Sequence, residues 1–252
     1  MTRTSISAGE IEAVSHWLRP HYQEGGGEPY LFYAVFGNFP TRMAPLSASR
    51  YRSSGLASGL TLDHQDPDYF REGLLWEQLE QSNPRAASVV SRAGGCLVLR
   101  GQPHEPRLLD YFRDTIGLIT YLLDQGGVAL YDPLALRWWE PGEWLEEAFR
   151  PGEPRPTNHT VILSSPEQAG IWLHTRGMRK FGRPDLSMRG LEASSLGLYA
   201  GLFRRFIEFG ALGGIIAEGQ EVRVAGLPLG LRCYHQGTLE DPDFNNVHVE
   251  IR

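Results

Sequence analysis

The stretch PRLLDYFRDTIGLITYLLDQGGVALYDPLALRWWE, residues 106–140, changes its hydrophobic period halfway along. From Pro106 to Gln125, Leu108, Leu109, Phe112, Ile116, Ile119 and Leu123 recur every three or four residues. That spacing predicts a helix with one buried stripe. Gly126-Gly127 ends it, and VALYD and ALRWWE follow as two strands separated by the turn residues DPL. A long helix followed by a strand pair predicts a helix laid across a sheet.

Working back towards the start, CLVLRG (96–101) and YLFYAVFG (30–37) are short, β-branched or aromatic runs and read as strands. Asp66-Pro67 opens a helix to about Gln81, with Phe70, Leu74, Leu75 and Leu79 on one face. Residues 38–65 carry little periodicity and read as a long loop. Ser7 and Glu10 have capping-box spacing ahead of Ile11, Val14 and Leu18, which predicts a short opening helix ended by EGGGEP (24–29).

Working forward, the Pro-rich RPGEPRPTNH (150–159) is the best linker candidate. A similar order then recurs. TVILSS and GIWLHTRG read as strands, DLSMRGL as a possible third, and Ser194 or Ser195 caps a helix with Tyr199, Leu202, Phe206 and Phe209 on one face. Gly213-Gly214 ends that helix, and EVRVAG, GLRCYH and NVHVEIR read as closing strands. The expected fold class is therefore α+β in two related halves, 1–150 and 151–252, each a mostly antiparallel sheet carrying a long helix. One compact domain remains compatible with this order.

Composition narrows the function. A chain of 252 residues that is 41% hydrophobic with six Trp is a packed globule, long enough to need no disulfide or metal staple. The net charge of −6 has the wrong sign for a general nucleic-acid binder. Cys96 and Cys233 sit in apolar runs and read as small buried residues. No stretch approaches the ~20 apolar residues that span a bilayer, and the first residues carry no secretory apolar core. A cytoplasmic protein is expected. There is no GxSxG elbow, Cys–His signature, Walker A loop or strand-to-helix GxGxxG, so no catalytic residue and no cofactor is predicted.

Three constellations remain. In GIWLHTRG, alternation puts Trp172, His174 and Arg176 on one face, with Arg179, Lys180 and Arg183 in the following turn. A flat ring, a titratable donor and a guanidinium fork suit an anion or a carboxylate. The alternative is that Trp172 is core, Arg176 pairs with an acid and the turn is a solvated hairpin. Trp138, Trp139 and Trp144 in RWWEPGEW suit a partner interface or an edge packed by the linker. The Asp-rich LDHQDPDYF (62–70) is explained by helix capping rather than by a cation. His174, His235 and His248 would form a metal site only if their strands converged; no metal ligand is assigned.

The runs GGVALYDPLALRWW, IWLHTRGMRKFGRPDL and DPDFNNVHVEIR together resemble uncharacterised bacterial α+β domains of the DUF4261 type, over roughly residues 95–252. The resemblance implies no established enzyme activity. It implies instead a protein that works by binding, in some cases beside toxin-immunity proteins. The expected function is a non-enzymatic protein-binding protein, an immunity or accessory protein whose partner is a toxin or effector. The alternative is a small anionic-ligand binder or enzyme using Trp172, His174, Arg176, Arg179 and Arg183. The oligomeric state stays open.

Overall fold

The computed structural model describes residues 15–103 and 107–252. Residues 7–14 of the expected opening helix lie outside them; residues 15–24, up to EGGGEP, form no helix, and Leu18 instead bridges Leu108. Two five-stranded sheets carry the chain. The first runs β1 (Leu31–Gly37), β2 (Leu60–Gln65), β3 (Gly95–Gly101), β4 (Gly127–Asp132) and β5 (Arg137–Trp139) in the order β2-β3-β1-β4-β5. All its pairings are antiparallel. The second runs β6 (Val161–Glu167), β7 (Gly170–Arg176), β8 (Asp185–Leu191), β9 (Cys233–Gln236) and β10 (His248–Ile251) in the order β6-β7-β8-β10-β9. Its only parallel pair among the described residues is β8 with β10.

Among the described residues six α-helices connect these strands: α1 (Ala48–Tyr51), α2 (Leu74–Ser82), α3 (Pro84–Ser91), α4 (Asp110–Asp124), α5 (Pro141–Trp144) and α6 (Leu196–Ala211). The fold is α+β in two halves, each with a mostly antiparallel sheet and one long helix. One hydrophobic cluster runs through both, from Leu31, Leu97 and Leu130 through Phe112 and Ile119 to Phe181, Leu186 and Phe203. A large apolar side chain buried this completely contributes about 1.5–3 kcal/mol.

The helix expected to bury one stripe buries every side: Tyr111 to Leu122 are all buried. Its polar members are satisfied internally. Thr115 and Thr120 donate to the carbonyls of Tyr111 and Ile116, and Arg113 donates to Asp114. Gly117 shows why the helix accepts a neighbour so close, because a Cβ there would run into the Tyr51 carbonyl and Ser53.

Four expectations change. The 38–65 loop contains α1 and β2, the latter an edge strand zipped to β3 from Leu60↔Gly101 to Gln65↔Cys96. The single helix over 66–81 is a 3-10 turn (Pro67–Phe70) capped by Asp66, a break at Gly73, and then α2. EVRVAG forms no strand; only an isolated Glu221–Arg232 bridge joins it to its neighbour. The 150–159 linker candidate is packed, with the Trp17 indole donating to Gly152, Arg137 donating to Asn158 and His159 fully enclosed.

Candidate functional site

On β7, Trp172 and His174 do share a face, with ring centroids 3.8 Å apart and stacked. That face looks neither at solvent nor at α6. Phe244, from the loop after β9, closes over both rings at 5.8 Å and stacks on His248 at 4.2 Å. Arg176 is buried and donates to the Asp243 carbonyl, and Arg189 lies over the outer side of Trp172. Burial, with the Arg176 charge adding to it, pushes the His174 imidazole down to about 4. The surface expected to grip an anion is thus filled by an aromatic plug, with Asp241 and Asp243 in the covering loop.

The start of β8 holds a buried carboxylate. Asp185 accepts from the Thr175 hydroxyl at 2.8 Å, the Asn246 amide at 2.9 Å and the Met178 N–H at 3.3 Å. Burial raises its carboxyl to about 6.

The cations of the turn are also spent on structure. A 3-10 turn, Met178–Phe181, sits between Gly177 and Gly182, both left-handed at φ 113° and 63°. Arg183 donates to the carbonyls of Gly213 and Gly214, capping the end of α6. Arg179 donates to Asn245 and lies over the Tyr30 ring. Lys180, fully buried, pairs with Asp132 at the end of β4 and donates to the His159 carbonyl at 2.6 Å. Burial lowers the ammonium and raises the carboxyl, while their pairing opposes both shifts. His159 lies among Phe112, Trp139 and Trp144, and burial holds it far below its ordinary value. This centre joins the two halves and lies wholly inside.

The tryptophans divide. Trp139 and Trp144 are 1% and 0% exposed and pack edge-to-face in the core, so they present nothing to a partner. Their burial follows from side-chain alternation on β5 and from the Trp144 indole donating to Thr120 on α4. Trp138 points the other way and is only half-buried. It stacks on Tyr131 at 4.5 Å and meets Trp76 at 6.2 Å.

From Trp138 an aromatic layer spreads across the outer face of the first sheet. Phe36 lies 5.5 Å from Trp138 and 5.8 Å from Phe70, and Phe70 meets Tyr69 at 4.9 Å. The layer surfaces at Tyr69, 70% exposed, and Leu74, 77% exposed. Leu74 was expected on a buried face. It emerges because the chain breaks at Gly73, while Arg71 folds inward to the carbonyls of Val90 and Ala93. Six acids lie in the same stretch, between residues 63 and 80, and Asp63, Asp66, Asp68, Glu72, Glu77 and Glu80 are all exposed. Asp63 lies on the outer face itself, paired across from Val98.

Among the described residues no three His, Cys, Asp or Glu side chains are placed to hold a metal ion. His174 and His248 flank Phe244, whereas the His235 ring bonds the Ile216 carbonyl. No described helix is long and apolar enough to cross a membrane. Comparison with protein-family models, curated proteins and solved structures returned no match. The likeness to DUF4261-type domains therefore rests on the quoted residues alone.

Proposed function

We propose that this is a non-enzymatic binding protein of the cytoplasm in which the surface around Tyr69 and α2, above the covered outer face of the first sheet, docks a basic protein, as an immunity or accessory protein would dock a toxin or effector. One observation carries the reading: Tyr69 and Leu74 are exposed, and Trp76 half-buried, in a stretch, residues 63–80, whose six acids are all exposed. Aromatic centres with charged rims are how proteins concentrate binding energy. These acids complement a basic partner, speed encounter and reject acidic competitors. The histidines and arginines that would serve catalysis or anion capture are enclosed or bound to carbonyls.

The test is retention of a partner from extract of the source organism by the wild-type chain and by a Tyr69→Ala/Leu74→Asp variant. Both residues are solvent-facing, so the variant keeps its stability within about 0.5 kcal/mol. The wild type retains a basic protein, less of it as salt rises, and the variant loses it. Equal retention by both, or self-association of the wild type through this face, would overturn the reading.

A further inference from the structure

Between the end of α6, the start of β8 and β9 lies a recess of about 170 Å3. Met178, Leu186, Phe206, Ile216 and Val247 give it hydrocarbon walls, and His235 and Arg183 are its polar side chains. One wall is Gly25, Gly26 and Gly27, the glycine run of EGGGEP, which brings backbone and no side chain. We propose that this recess binds a small phenol, whose single ring sits between the hydrocarbon walls while its hydroxyl donates to Nδ1 of His235. The site shares no residue with the docking surface around Tyr69 and goes beyond that reading.

Size, walls and one nitrogen point to that ligand. A cavity of about 150 Å3 lined by aliphatic and aromatic side chains takes up one benzene, so this recess has room for a ring and a single small substituent. Phe206 and the Met178 thioether favour an aromatic ring over a saturated one, through ring–ring and sulfur–ring contacts. Arg183 does not call for an anion, because it donates to the carbonyls of Gly182, Gly213 and Gly214. His235 is different. Its Nε2 lies 2.8 Å from the Ile216 carbonyl, and a carbonyl only accepts, so Nε2 carries the proton. Nδ1 of the neutral ring is then an acceptor, on an exposed residue, and suits a ligand with one O–H donor. The glycine run supplies the way in. Its flanks are anchored, the Gln23 N–H to the Gly213 carbonyl and the Tyr30 N–H to the Arg179 carbonyl, both at 3.0 Å. Among the described residues no backbone hydrogen bond holds Glu24 to Pro29 between those anchors, so the glycines can lift without breaking one.

The experiment labels the methyl groups of the four methionines with 13C and titrates the protein with phenol. The Met178 signal should move under the ring current of the ligand and saturate at a Kd on the order of 1 mM, with Met43 staying still. Cyclohexanol, which keeps the hydroxyl on a saturated ring, should bind at least threefold more weakly. Gly210→Ala should weaken phenol at least threefold, because its Cβ would meet the Met178 methyl at 3.1 Å and the space is taken from the recess. If that variant melts early, Phe206→Trp fills the same recess from a half-buried position and should do the same. His235→Leu should weaken phenol about threefold or more and leave toluene, which has no donor, within twofold of its wild-type affinity. The site is overturned if Met178 does not respond, if its shift never saturates, or if neither filling variant weakens binding. The assignment of a phenol is overturned if cyclohexanol matches it or if His235→Leu affects phenol and toluene alike.

Discussion

Lys180 and Asp132 show what a charge does when its surroundings rather than its partners are decisive. Neither touches water, and each is tolerated because the other and a ring of carbonyl and N–H groups replace the lost hydration. Lys180→Met should therefore cost about 3–5 kcal/mol in urea unfolding by stranding the Asp132 carboxylate. Adding Asp132→Asn should recover at least half of that, since an amide oxygen can still accept from Leu134 and Ala135. His174 gives a second residue-level expectation. Its folded value near 4 lies below the ~6.5 of an unfolded histidine, so its share of stability is complete above pH 6.5 and is lost as pH falls towards 4. Allowing for water reaching the edge of the plug, that share is about 1–2 kcal/mol. Asp185 acts in the opposite sense. Its carboxyl is raised to about 6, so between pH 4 and 6 its contribution falls as pH rises. His174→Gln should consequently remove part of the rise in stability between pH 4 and 6.5 relative to the wild type, read from denaturant midpoints. A profile unchanged by the substitution would refute the assignment.

Among the elements, α4 is the clearest case of tertiary contact overriding local preference. Gly117 sits mid-helix, where alanine would gain about 1 kcal/mol in an isolated helix. Here Gly117→Ala should instead destabilise by about 1–3 kcal/mol, because its methyl would press on Tyr51 and Ser53. Thermal unfolding decides the sign. Most elements were legible because their hydrophobic period is plain: the strands at 31–37, 95–101, 127–132 and 170–176 and both long helices were expected within a few residues. What stayed illegible has a physical reason in each case. β2 reads as loop because four of its six residues face water on an edge, so its strand character comes from pairing with β3 rather than from its own side chains. RWWEPGEW suggests an interface only through its tryptophans. Two of the three proved to be core, since nothing local tells which side of β5 meets α4. The acids from Asp63 to Glu80 are plain in the sequence, but the exposure of Leu74 among them depends on the break at Gly73. The cations of HTRGMRKFGR looked like a binding turn; their carbonyl partners come from Gly213, Gly214, Asp243 and Asn245, which no spacing rule connects to them.

For the whole molecule, a face that recruits a basic partner by charge should show association rates that fall steeply with ionic strength while dissociation rates change little. Stopped-flow mixing with the retained partner measures both. The second sheet carries a different consequence. Its hairpins β6–β7 and β7–β8 close over a few residues, whereas the parallel pair sets His248 against Asp185, across more than sixty residues of chain, and places β10 between β8 and β9. Distant pairings are expensive to close early in folding. β10, next to the edge strand β9, is therefore expected to join β8 late. Val249→Ala, at a fully buried position of β10, should accelerate unfolding by nearly the whole of its stability loss and leave the folding rate almost unaltered. The durability of this half of the protein is then set by how slowly one short strand of four residues slips out from between its two neighbours.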